Sequence, residues 1–179
     1  FGQNTGLCKH PEITTPGVNM TSGSLGHGLA FGIGMAHGQK LLRSKSRTFV
    51  LLSDAECNAG STWEAALLAP QLKLDNLTAI IDYNQWQCFG PTRKVINLDP
   101  LGDKWSTFGW AVRSVPGHDL HALSHTLSRG PFKTLRPSLV IAHTTSGKGI
   151  PLIENKLLGH YHIFDQAQYQ LARTNLQNL

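Results

Sequence analysis

Two short apolar runs, each ending abruptly in oxygen-bearing side chains, frame the chain. Thr48-Phe49-Val50-Leu51-Leu52 breaks into Ser53-Asp54-Ala55-Glu56-Cys57-Asn58-Ala59-Gly60, and Leu77-Thr78-Ala79-Ile80-Ile81 breaks into Asp82-Tyr83-Asn84-Gln85-Trp86. Continuous apolar runs of this length are the pattern of parallel strands buried on both faces. Between them Trp63, Ala66, Leu67 and Pro70 fall at i, i+3, i+4 and i+7, which predicts a helix from Gly60 to about Leu74. Pro70 kinks it or ends it early, because proline lacks the amide donor. Asp75-Asn76 turns the chain into the second strand.

The remaining pattern continues the alternation. Residues 1–20 carry turn formers without periodicity and read as an extended loop. A glycine-rich turn, Thr21-Ser22-Gly23-Ser24-Leu25-Gly26-His27-Gly28, opens a helical pattern with a basic end at Lys40 and Arg43, and Thr/Ser ahead of it offer an N-cap. From Cys88 to Asp99 the pattern fades into a loop. A short helix with Trp105 follows from Leu101 to Phe108, then a strand at Trp110–Val115, a helix at Leu120–Arg129, a buried strand at Pro137–Thr144 and an amphipathic helix, Phe164–Leu176, that would pack on the sheet. Strand, helix, strand recurring about five times predicts an α/β fold, a mostly parallel sheet with helices on both faces. It forms one domain over 1–179, with a loop at 1–20 and the core and C-terminal helix at 21–179.

Composition changes this picture little. At 179 residues with 40% hydrophobic and 15% charged residues, the chain has the make-up of one globular domain. Sixteen Lys and Arg against eleven Asp and Glu give a formal charge of +5, which suits anionic ligands. No run of Lys/Arg and no arginine-aromatic alternation accompanies it, so nucleic acid is not the expected partner. Cys8, Cys57 and Cys88 are an odd number without paired metal spacing, as expected of reduced thiols in a cytoplasmic protein. No apolar run reaches membrane-spanning length and no signal peptide is visible. The chain starts at Phe1 rather than Met, which leaves its natural start open.

The chemistry is expected where the two strands end. Adjacent parallel strands would place Asp54 and Asn84 side by side at the rim of an open sheet, where α/β sheets bind ligands. A carboxylate, an amide oxygen and a nearby main-chain carbonyl suit a hard cation such as Mg²⁺, which leaves positions for phosphate and water. An Asp after a strand also serves as a helix cap or turn former, so the residues alone keep both readings open. A glycine-rich turn at a helix start is a natural diphosphate-binding surface, although glycine also serves close helix packing. His118, His121 and His125 recur at i, i+3 and i+7 without a carboxylate or Cys to complete a metal site, and read as a solvated helix face. Gly147-Lys148-Gly149 is followed by Ile150-Pro151 rather than by Ser/Thr opening a helix, which excludes a phosphate loop of the Walker type.

The string Ser-Asp-Ala-Glu-Cys-Asn-Ala-Gly-Ser-Thr-Trp-Glu, followed by Asp82-Tyr83-Asn84 thirty residues after Asp54, resembles the thiamine diphosphate motif of the transketolase family, Gly-Asp-Gly and then Asn. The resemblance runs from His10 to about His162. It implies the thiamine diphosphate-binding fold, with thiamine diphosphate and Mg²⁺, or Ca²⁺ or Mn²⁺ in its place, as cofactors. Asp54, the side-chain oxygen of Asn84 and the carbonyl of Trp86 would be the metal ligands. Gly23, Ser24, Leu25 and Ala55 would cradle the cofactor, with the Ala55 amide facing the diphosphate. His10, of a His-Pro pair, and His160, after Glu154-Asn155, would handle substrate hydroxyls and protons over the cofactor, with His162 a nearby second choice.

Three residues depart from the family pattern. Ser53 and Ala55 replace the two glycines, which would crowd the diphosphate or demand a φ that alanine tolerates poorly. Ala59 stands where the family has a glutamate that links the two cofactor sites of a dimer. The family's pyrimidine-binding domain is not recognisable in this chain. The resemblance therefore implies either a fragment of a longer chain or a partner, a C-terminal transketolase-type subunit in a heterotetramer, and with it transfer of a two-carbon ketol unit between small sugar substrates. Acyl transfer or carboligation from a 2-oxo acid, and a non-catalytic role in binding a partner, are the alternatives.

Overall fold

In a computed structural model that describes residues 10–178, the two apolar runs lie side by side as parallel strands. Ahead of them is α1 (Gly28–Leu41). β1 (Thr48–Ser53) leads through a single 3₁₀ turn at Ala55–Asn58 and α2 (Gly60–Gln71) into β2 (Leu77–Tyr83), with Thr48 opposite Leu77 and Ser53 opposite Asp82. The chain then makes a hairpin of two two-residue strands, β3 (Trp86–Gln87) and β4 (Gly90–Pro91), and the short helices α3 (Thr92–Val95) and α4 (Leu101–Thr107). β5 (Ala111–Pro116), α5 (Leu120–Ser128) and β6 (Ser138–His143) complete the sheet, and α6 (Gln166–Gln177) follows. Cys8 and the first part of the 1–20 loop lie outside the described residues.

The sheet has the order β1-β2-β6-β5 with every pairing parallel, and helices lie on both faces. The expected recurrence of about five strands is four in this sheet. The residues after β2 pair with one another, Trp86 opposite Pro91, instead of extending it. Leu52, Leu77, Ile81 and Leu139 point to one face and pack with Leu29 and Ile33 of α1 and Ala66 of α2. Val115, Val140 and Ala142 point to the other, under Leu123 and Leu127 of α5.

That second face is only partly covered, and two expectations change with it. β1 is buried on one face alone: Phe49 is 49% and Leu51 72% exposed, because α5 lies over β5 and β6 and does not reach the edge strand. The C-terminal helix does not cover the sheet either. It is started by a reciprocal capping box between Asp165 and Gln168, buries only Ala172, and faces Ile150 and Phe164 across a shallow groove. In α2 the buried stripe is Thr62, Ala65, Ala66 and Ala69, one position off the predicted set, and Leu67 is exposed. Small residues win that face because α2 packs directly against α1. Pro70 sits in the last turn and the helix ends one residue later, the early end that proline predicts.

Trp105 is fully buried, 5.6 Å from the Trp63 ring and 4.9 Å from Trp110, whose indole donates to the Ala66 carbonyl at 2.8 Å. This aromatic wedge joins α2 to α4 and β5. Trp105→Ala is expected to cost about 3–5 kcal/mol, read as a lower urea midpoint with an unchanged slope.

Candidate functional site

Asp54 is the fixed point of the site. It ends β1 with no exposed surface, and its carboxylate ties the two strand ends together. Oδ1 accepts the Ala55 amide at 2.7 Å; Oδ2 accepts the Gln85 amide at 2.7 Å and the Thr92 hydroxyl at 3.2 Å. Burial raises its pKa above the ordinary carboxylate value, assisted by the nearby Asp82 charge and opposed by those three hydrogen bonds. Asp54 therefore lies next to the backbone of the Asn84–Trp86 turn, as adjacent parallel strands require.

Asn84 closes that turn, its Oδ1 accepting the Trp86 amide at 2.8 Å, while Gln85 adopts φ +64°. The turn is braced from across the sheet, where the Trp86 indole donates to Asn155 Oδ1 at 2.6 Å and Thr144 bonds Asp82. Asn84, Trp86, Arg93, Thr144 and Asn155 are among the residues around a cavity of about 370 Å³. His160 ends a 3₁₀ turn, Leu157–His160, that packs beside β3, and the following Tyr161 hydroxyl donates to the Cys88 carbonyl. His160 is thus exposed beside the Trp86 hairpin.

The glycine turn forms a second wall. His10, Thr21, Gly23, Ser24 and Phe31 help to line a separate cavity of about 640 Å³. A Cβ on Gly23 would come within 3.1 Å of the His10 ring, so His10 rests directly on the glycine turn. Leu25 is 58% exposed and borders neither cavity. The expected Thr/Ser cap of α1 is absent: His27 is the N-cap and makes no side-chain cap bond. The turn is held instead by the Asp54 loop. Glu56, 7% exposed, accepts the Gly26 amide at 2.9 Å, and the Ser61 hydroxyl donates to the Gly26 carbonyl at 2.8 Å.

Sequence reasoning assigned nothing to Glu56, Ser61 or Thr92, because each acts through a main-chain or carboxylate partner thirty or more residues away. Neither Ser53 nor Ala55 takes the positive φ that would favour glycine. The Ser53 hydroxyl accepts the Glu56 amide at 3.0 Å, and Ala55 opens the 3₁₀ turn. The Ala55 amide, expected to face the diphosphate, donates instead to Asp54 Oδ1.

Among the described residues no group of three His, Cys, Asp or Glu side chains forms a metal site. His118 does not join a metal face: its Nε2 accepts the Thr145 amide at 2.7 Å, while the His121 and His125 rings stack at 6.3 Å. A cation at the strand ends would depend on one carboxylate with amide and main-chain oxygens. That donor set fits a hard divalent ion bound largely through phosphate and water.

The family model described as transketolase, thiamine diphosphate binding domain, matches residues 3–177. The chain is 39% identical over 166 residues to one of the apulose-4-phosphate transketolase subunits of Phocaeicola vulgatus, covering 93% of this chain and 59% of that protein. It is 34% identical to the 6-deoxy-6-sulfo-D-fructose transketolase subunit SqwG of a Clostridium species, covering 91% of this chain and 59% of that one. It thus spans about three fifths of the length of these relatives. Among solved structures, the transketolase of Campylobacter jejuni superposes with a TM-score of 0.88 at 28% identity, covering 99% of this chain and 29% of that one. The Pichia stipitis transketolase in complex with sedoheptulose-7-phosphate gives the same TM-score and identity over 28% of its length.

Proposed function

This chain belongs to the transketolase family, as its thiamine diphosphate-binding domain, and we propose that it supplies the diphosphate and metal half of a transketolase-type transferase. The enzyme moves a two-carbon ketol unit from a ketose or ketose phosphate to an aldehyde. The other half is a C-terminal subunit with the pyrimidine-binding domain, and the two assemble as a heterotetramer. The naming of relatives as transketolase subunits, rather than as whole transketolases, supports a partner chain. The observation that carries the site reading is the Asp54 carboxylate bound to the Gln85 amide, which joins the ends of β1 and β2 at the turn presenting Asn84 and Trp86.

In this reading Asp54, the Asn84 side-chain oxygen and the Trp86 carbonyl hold Mg²⁺, or Ca²⁺ or Mn²⁺. Main-chain groups of Gly23, Ser24 and Leu25 would cradle the cofactor, with Ala55 beside them although its amide is held by the Asp54 carboxylate. Thiamine diphosphate, when bound, would supply the acidic carbon that ketol transfer requires. The chain's own residues bind, orient and move protons. His10, resting on Gly23, would orient substrate hydroxyls, and His160, on the turn beside β3, would exchange protons with the substrate. The buried Cys57 and exposed Cys88 are free thiols, consistent with a cytoplasmic setting. Among the described residues no helix is long and apolar enough to cross a membrane.

Native mass spectrometry of the protein purified from its source with Mg²⁺ and thiamine diphosphate tests this. A second chain is expected to co-purify, with one cofactor for each pair. The chain associating only with itself, and without cofactor, would remove the reading.

A further inference from the structure

The cavity at the Asn84–Trp86 turn contains a charge that the expected metal ligands leave unused. Arg93 is the only charged residue in its lining among the described residues, the rest being amides, hydroxyls, Trp86 and Pro91. The ion pairs among the described residues are Lys40 with Asp75 and Lys148 with Glu154, and among the described residues the Arg93 guanidinium has no hydrogen-bond partner. The guanidinium is therefore uncommitted at the edge of a polar cavity.

Its placement is not incidental to the anchor. The preceding residue, Thr92, is 3% exposed and tied at both its amide and its hydroxyl. The amide donates to the Gln85 carbonyl at 2.9 Å and the hydroxyl to Asp54 Oδ2 at 3.2 Å. The same contacts that join the two strand ends thus fix the backbone from which Arg93 projects. Nothing in the sequence marked this residue, because it falls where the periodic pattern fades between Cys88 and Asp99.

We propose that Arg93 binds a phosphoryl group in this cavity, gripping phosphate oxygens of an anion whose metal end is held at Asp54, Asn84 and Trp86. The inference rests on the metal-diphosphate reading above and adds a cation to it. A diphosphate beside the Asp54 carboxylate brings more negative charge than one divalent ion offsets. A planar guanidinium binds phosphate oxygens through two parallel hydrogen bonds, which the ammonium of lysine does not reproduce. The phosphoryl group comes either from the cofactor or from a phosphorylated ketose, and the two are separable by experiment.

The test compares the wild-type protein with Arg93→Ala and Arg93→Lys. Calorimetric titration with inorganic diphosphate and Mg²⁺ is expected to show affinity falling about tenfold or more in the alanine variant, with partial retention in the lysine variant. The thermal midpoint should not move, because Arg93 is exposed and its guanidinium holds no other element in place. In the assembled complex, weaker thiamine diphosphate binding assigns the cofactor's diphosphate as the anion. Unchanged cofactor binding, with KM rising for a phosphorylated ketose and not for an unphosphorylated one, assigns the donor phosphate. Wild-type affinity of the alanine variant for all three ligands overturns the inference. If the wild type binds diphosphate through Arg93 but no thiamine diphosphate in the complex, the broader function fails and this inference stands.

Discussion

Asp54→Ala is expected to abolish Mg²⁺-dependent binding of thiamine diphosphate, raising Kd by about 100-fold or more, equivalent to about 2.8 kcal/mol. The readout is quenching of tryptophan fluorescence, because Trp86 lies on the same turn as Asn84 and is fixed there through Asn155. Asp54 is the only expected metal ligand with a formal charge, so neither the Asn84 oxygen nor a main-chain carbonyl compensates for its loss. The alanine variant also leaves the Ala55 and Gln85 amides and the Thr92 hydroxyl without their acceptor, at about 1–3 kcal/mol for each donor that stays buried and unpaired. Asp54→Asn keeps one acceptor oxygen but turns its NH2 toward a backbone amide, so the folding control for both variants is their thermal midpoint without cofactor. A variant that folds and binds the cofactor within about threefold of wild type would exclude the metal anchor.

The same residue predicts the pH dependence. Burial raises the Asp54 pKa in the folded chain, so the folded state holds this proton more tightly than the unfolded state. The contribution to stability is then full below the unfolded value and is lost as pH rises through the folded one. A bound cation reverses the balance by favouring the carboxylate. The increase in Tm produced by Mg²⁺ and thiamine diphosphate should therefore shrink as pH is lowered, beginning above the ordinary Asp range near about 3.9. A Tm increment that is flat between about pH 7 and about pH 4 would contradict a metal held by this carboxylate.

How much of this was legible depends on the range of the contacts. The strand ends at Asp54 and Asn84 could be read because a buried strand and its terminating polar residue are local in sequence, and their adjacency follows from parallel pairing. The position of β1 at an open edge could not. Phe49 and Leu51 are as apolar as the buried Ile81, and their exposure depends on how far α5 extends over the sheet. The α2 stripe was misplaced by one position because apolar periodicity weights Trp63 and Leu67 over the small residues that allow α1 to approach. The site residues found only in the structure are those whose partners are remote. Glu56 meets the Gly26 amide and Thr92 meets Asp54, pairings that leave no periodic signal. His10 and Gly23 came from family resemblance and line one cavity together, but it is a different cavity from that of Asn84 and Trp86.

Gly26→Ala should be the most damaging single methyl in the glycine turn. Gly26 has φ +84°, in the region where an L side chain costs about 1–2 kcal/mol. The new Cβ would lie 2.4 Å from the Ser61 hydroxyl oxygen and 2.7 Å from the Ala59 Cβ. Ser61 cannot rotate away without breaking its bond to the Gly26 carbonyl, and the Ala59 carbon is fixed to the backbone, so the turn itself must move. Movement in turn lengthens the bond from the Gly26 amide to the buried Glu56 carboxylate. We expect a loss of about 2–4 kcal/mol, equivalent to a Tm lowered by about 5–15 °C in a chain of this size, together with weaker cofactor binding as Gly23 shifts against His10. Making Gly26→Ala both in the wild type and in an Ala59→Gly/Ser61→Ala background separates the causes. The background has already lost the Ser61 bond to the Gly26 carbonyl, so with the collisions gone the further fall in Tm on adding Gly26→Ala should shrink to the cost of the positive φ, about 1–2 kcal/mol. If Gly26→Ala alone melts with the wild type, the turn is not held by the Asp54 loop. The two walls of the site would then be independent, although Asp54, Glu56 and Ser61 all belong to one short segment that bonds to both.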